Sequence, residues 1–159
     1  MARIEILHEE SMLRIASFRN VLINVWTNAP DVHQIRAYAR VAHHFGAARP
    51  KNTALLNAVV RGTPSFPEKV RDEVVKAMKM KGVFRLGVAH LITVGGLPGT
   101  ATRAFLSTAI LLGRPKTPSK VFSDPKEACD WVAARLATTT EMMVPEDLHA
   151  AYLEAIAGR

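Results

Sequence analysis

The sequence predicts an α/β domain whose mixed β-sheet opens with an antiparallel hairpin, continues through crossover helices and is followed by an extra C-terminal helix. Three observations carry this. The first 26 residues fall into short alternating apolar segments of the kind that form half-buried strands. Beyond them, β-branched runs alternate with segments whose apolar residues recur every three or four positions, and strands separated by helices pair in parallel through right-handed crossovers. Finally, 48% hydrophobic against 22% charged residues in a chain of 159 is enough for one core and too apolar for a disordered chain.

Arg3 to Leu7 and Met12 to Phe18 read as two strands joined by His8-Glu9-Glu10-Ser11. A third strand covers Val21 to Trp26 and stops at the turn Thr27-Asn28-Ala29-Pro30. From Asp31 to Phe45, Val32, Ile35, Ala39, Ala42 and Phe45 line one side of a helix. His33, Arg36, Arg40, His43 and His44 line the other, which predicts an amphipathic helix with a basic outer face. Thr53 to Val60 is too short for a helix and reads as a buried parallel strand. The next helix is expected to start with Ser65 as N-cap, Glu68 as its capping-box partner and Pro67 in the first turn. Val70, Val74, Ala77 and Met78 form its core stripe, and Gly82 its end.

Phe84 to Val94 contains the following strand, Gly95 to Gly99 a sharp turn, and Thr100 to Leu112 a third helix. That helix is apolar around most of its circumference, so Phe105, Leu106, Ala109 and Ile110 are expected to border an apolar pocket or an interface. Lys120-Val121-Phe122 makes a short strand. Asp124, Pro125 and Glu127 then supply the N-cap, N1 proline and N3 acid of a fourth helix, with Trp131, Val132 and Leu136 on its inner face. Residues 1–136 thus form the α/β domain. Residues 137–159 add a loop and an amphipathic helix from Pro145 that packs on the domain or on a partner subunit, with a place over the third helix as the expected one.

Charge is uneven along the chain. The formal net charge is +7, yet residues 32–120 hold 15 basic and 3 acidic residues, and no carboxylate lies between Glu73 and Asp124. Such a field attracts acidic partners, and Arg36, Arg40, Lys76 and Lys79 are the candidate docking face. The block is not interleaved with aromatics as single-strand platforms are, which argues against nucleic acid. No stretch nears the roughly 20 apolar residues of a membrane span, and the N-terminal segment has no secretory apolar block, so a cytoplasmic protein is expected.

Catalytic signatures are weak. Gly95, Gly96, Gly99 and Thr100 sit between strand and helix, where backbone N–H groups can hold an anion, but the sequence has neither a P-loop ending nor a dinucleotide spacing. His33 shares no i, i+4 spacing with His43 or His44, and His90 inside an apolar strand reads as a satisfied core residue. Cys129, the single cysteine, reads as packed core. No metal site and no cofactor are expected.

The order of elements, with the segment Val121-Phe122-Ser123-Asp124-Pro125-Lys126-Glu127-Ala128-Cys129-Asp130-Trp131-Val132, resembles the STAS-like or SpoIIAA-like superfamily. Residues 3–136 share its topology, and 121–132 are similar to its strand-to-helix segment. The resemblance implies a non-enzymatic regulatory or adaptor module that docks onto another protein. In some members a hydroxyl at the start of the helix after the central strand is phosphorylated; others are thought to bind hydrophobic ligands. Here the corresponding turn lacks the Asp-Ser-Ser-Gly sequence, and Thr63 and Ser65 are the nearest hydroxyls. The expected function is therefore a regulatory docking module acting as a homodimer. Its competitors are a binder of an apolar molecule or lipid beside residues 100–112 and an unrecognised enzyme.

Overall fold

A computed structural model describes residues 3–49, 52–62, 65–80, 83–84, 86–139 and 142–159. Among them six strands form one sheet in chain order: β1 (Glu5–Glu10), β2 (Leu13–Phe18), β3 (Val21–Trp26), β4 (Ala54–Val59), β5 (Gly87–Ile92) and β6 (Ser119–Phe122). The first three strands pair antiparallel and β3 to β6 pair parallel, so the sheet is mixed as predicted. The parallel part needs a crossover between each pair of strands. These are α1 (Val32–Ala48), α2 (Glu68–Met78) and α3 (Gly96–Gly113), followed by α4 (Pro125–Leu136) and α5 (Pro145–Ile156).

The two faces of the sheet are filled differently. On one, Ile23, Val25, Leu56 and Leu91 pack against Cys129, Val132 and Leu136 of α4 and Leu148 and Tyr152 of α5, all buried. Each such side chain contributes on the order of 1.5–3 kcal/mol of transfer free energy, which makes this the dense half of the core. On the other face, Leu13, Ile15, Leu22 and Trp26 meet Ala42 and Phe45 of α1. α1 follows the prediction, with His33, Arg36, Arg40, His43 and His44 all exposed. Asp31 caps it through a capping box with Gln34.

Four local expectations need correction. β1 runs on through Glu10 and turns at Ser11-Met12, because an edge strand leaves one face to water and tolerates His8, Glu9 and Glu10. α2 begins at Glu68 with Pro67 at the cap position and no side-chain cap, so Ser65 does not cap it; it lies exposed in the preceding loop. The cause is Pro67, whose ring excludes helical backbone at Phe66. α2 stops at Met78, and the predicted stop, Gly82, lies outside the described residues. α3 begins at Gly96, so the glycine turn is its first turn; Gly99 allows this, because a Cβ there would overlap the carbonyl oxygen of Val94.

The fourth correction concerns α5. It packs on α4, β2 and β3, on the face opposite α3, and so does not cover the apolar third helix. A cation fixes it there. Arg14 of β2 donates to the carbonyls of Ala155 and Ala157 at 2.8 and 2.9 Å, occupying the C-terminal end of the helix dipole. The same guanidinium pairs with Glu9 at 2.7 Å, holding that carboxyl below its ordinary range. Leu97, Leu111 and Leu112 of α3 stay exposed.

Candidate functional site

The helical layer over β3, β4 and β5 is hollow. α2 packs on α1 and α3 and buries only Val70 fully, while Val74, Ala77 and Met78 face a cavity of about 530 Å³ beneath it. The close approach of α2 to α3 is permitted by Gly113, where a Cβ would stand 3.1 Å from that of Met78. The helix thus rests on its neighbours and bridges the space over the central strands. A closed, well-packed domain leaves few voids larger than a water molecule, whereas ligand cavities commonly measure roughly 300–1,000 Å³.

The cavity wall is mostly apolar and aromatic. Ile35 and Tyr38 come from α1, Phe105 and Leu106 from α3, and Leu55, Val59 and Val88 from the sheet. Phe66, in the loop before α2, stacks on Phe105 with ring centroids 3.8 Å apart and planes 6° apart, so the two rings clip that loop to α3 at the cavity edge. Arg61, Lys79, Arg114 and Lys116 line the cavity yet remain exposed, which places them at its openings. Among the described lining residues there is no carboxylate, and those from Val74 onward belong to the acid-free stretch after Glu73.

A polar chain crosses the floor. The register of the parallel strands aligns Asn24, Asn57 and His90 on β3, β4 and β5, all facing the helical layer. Trp26 Nε1–H donates to Asn57 Oδ1 at 2.8 Å, and Asn57 Nδ2 lies 3.0 Å from His90 Nδ1. Indole N–H can only donate, which fixes the oxygen of Asn57 toward Trp26 and its NH2 toward His90. Nδ1 of His90 must then accept, so the neutral ring carries its proton on Nε2. Burial drives the His90 pKa down to about 4, and a proton on Nδ1 would also meet the Asn57 NH2 head-on. Tyr38 is kept protonated by burial as well. Asn24 is fully buried, and among the described residues neither its nitrogen nor its oxygen has a partner.

The residues singled out in the sequence are distributed unevenly around this site. Phe105 and Leu106 line the cavity; Ala109 is buried and Ile110 half-buried on the same helix, but neither lines it. Gly95 and Gly96 form the N-cap and first residue of α3, where Gly99 N–H already donates to Gly95 O and Thr100 Oγ1 to Gly96 O. Thr63 lies outside the described residues. Of the proposed basic face, Arg40 and Lys76 are exposed, Lys79 stands at a cavity opening, and Arg36 bridges α1 to Glu73 of α2 at 2.8 Å. Among the described residues no group of three His, Cys, Asp or Glu side chains comes together as a metal would require.

Sequence reasoning missed Trp26, Tyr38, Asn57 and His90 as site residues. The available signal was a polar residue in the middle of each of three apolar runs: Asn24, Asn57 and His90. Only the register shows that they stand side by side. Burial pushes the thiol of Cys129 up to about 12, and its place in the dense half of the core agrees with the reading from sequence. No helix among the described residues is long and apolar enough to cross a membrane. Comparison with protein families, curated proteins and solved structures finds no match to this chain.

Proposed function

We propose that this chain is a non-enzymatic binding module that takes a small, largely apolar molecule into the cavity beneath α2. The observation that carries this reading is the cavity itself: about 530 Å³, walled by aromatic and aliphatic side chains, with a short polar row on its floor. Its size suits one drug-sized molecule. Among the described residues that line the cavity no carboxylate accompanies the imidazole on the floor, and its Nδ1 is engaged by Asn57, which supports a binding role over acid–base catalysis. A STAS-like assignment and a cytoplasmic location belong to the same proposal. The first is supported by the antiparallel opening followed by three consecutive crossovers on one face.

Titration with Nile red tests it. Saturable fluorescence enhancement at one site per chain is expected, with affinity falling at least about tenfold in Ala77→Phe, which fills the cavity from α2 while leaving the α4–α5 half untouched. Absence of saturable binding, or equal binding by the Ala77→Phe chain, would overturn the reading.

A second reading is favoured by a different observation. Leu111 and Leu112 are 75% and 63% exposed side by side in the last turn of α3, and adjacent exposed leucines are the start of an apolar contact surface. The chain would then dock there, as a homodimer or on an acidic partner protein drawn by the basic face. Light scattering at micromolar concentration that returns the mass of a single chain refutes the homodimer.

A further inference from the structure

Resting on the reading of the cavity as a ligand site, we infer that its ligand is an aromatic or alicyclic carbonyl compound whose oxygen accepts a hydrogen bond from His90 Nε2–H on the cavity floor. The polar chain has a direction. It begins at an indole that can only donate, passes through an amide whose orientation that donor dictates, and ends at an imidazole whose remaining hydrogen-bonding atom is a donor. The ring is 5% exposed and lines the cavity, and among the described residues none accepts from Nε2. Its acceptor must therefore come from what fills the cavity, so the occupant that best completes the floor brings one.

The rest of the wall narrows the class. Tyr38, also lining the cavity, has no hydrogen-bond partner among the described residues and offers a second neutral O–H. Among the described lining residues no carboxylate stands ready to receive a donor from the ligand, and the amide oxygen of Asn57 is already engaged by Trp26, so the floor offers a ligand donors more than acceptors. A carboxylate seated on two neutral donors in an apolar pocket would forfeit its hydration without a counter-charge, because the arginines and lysines stand at the openings. A neutral carbonyl does not have that cost. The aromatic side chains of Trp26, Tyr38 and Phe105 in the wall favour a flat ring body around it.

The test compares 2-acetylnaphthalene with 2-ethylnaphthalene, which differ in the carbonyl oxygen, on the full chain labelled with nitrogen-15. Long-range NMR spectra of the histidine rings report the His90 tautomer and its Nε2 environment. The unliganded protein should show the Nε2–H form. The ketone should shift Nε2 and the hydrocarbon should not, and the ketone-to-hydrocarbon affinity ratio should fall about tenfold in His90→Phe. Should that variant fail to fold, the wild-type Nε2 resonance decides alone. Binding of both probes with Nε2 unmoved would overturn the carbonyl inference and leave the binding module standing. Binding of neither would remove the module and this inference together. A ring protonated on Nδ1 would break the argument at its first step.

Discussion

Acidification is the sharpest perturbation the floor of the cavity admits. His90 titrates near 6.5 in an unfolded chain and about 4 in the folded one, so between those values the unfolded state holds a proton that the folded state does not. Stability is therefore undiminished above pH 6.5 and is lost as pH falls toward 4. Linkage over that window puts the loss between pH 7 and pH 5 at about 2 kcal/mol. Glu9 and Glu73 are held below their ordinary 4.5 by hydrogen bonds from Arg14 and Arg36, and their contribution fades only at lower pH. The assay is urea unfolding at both pH values for the wild type and for His90→Asn, whose Oδ1 can accept from Asn57 in place of Nδ1 without titrating. The variant should lose about 2 kcal/mol less on acidification than the wild type. Equal losses in the two proteins would show that His90 is protonated in the folded state or not linked to folding, and the tautomer argument would fall with it.

Three further outcomes are expected. Asn24→Val removes a fully buried amide that has no partner among the described residues from β3 and should raise stability by about 1 kcal/mol in chemical unfolding; a fall would mean that the amide is partnered. Gly99→Ala forces a Cβ onto the Val94 carbonyl and should cost about 1–3 kcal/mol, read as a lower thermal midpoint, with a neutral effect showing that the first turn of α3 yields freely. Reversing Arg36, Arg40, Lys76 and Lys79 to Glu removes the exposed Arg36–Glu73 pair and should move the midpoint by no more than about 4 °C; a larger drop would make these residues part of the fold.

Local sequence was a good guide wherever local physics decides the outcome. β3 was read at its observed limits because a β-branched and aromatic run bounded by turn residues has one stable use, and Asp124 marked a helix start because its side chain satisfies amides within three residues. The mixed sheet followed from the order of these elements, since parallel strands require crossovers and a hairpin does not. The outer face of α1 was legible from its period alone. Errors arose where two local rules competed. Ser65 and Glu68 have the spacing of a capping box, but Pro67 lies between them and sets the start of the helix. The glycines before α3 resemble a turn, and only the carbonyl of Val94 shows that one of them is there to be approached.

The site itself was decided by tertiary structure. Asn24, Asn57 and His90 are 33 residues apart in each step, and nothing in their neighbourhoods says that register will align them; the pairing of β3, β4 and β5 does. The apolar stripe of α2 is the same in sequence whether it meets a sheet or a void. That it meets a void depends on how α1 and α3 carry the helix. The tail was settled in the same way. Amphipathicity required α5 to find an apolar surface, but the hydrophobic effect has no direction, and it was the carbonyl-binding guanidinium of Arg14 and the open face beside α4 that selected the side away from α3. Composition and its distribution determined that this chain would have a core and that its middle would be basic, with no carboxylate between Glu73 and Asp124. The sheet register and the support of α2 by its neighbours turned those properties into a hollow with one polar row, because contacts between distant segments are not encoded in any one of them.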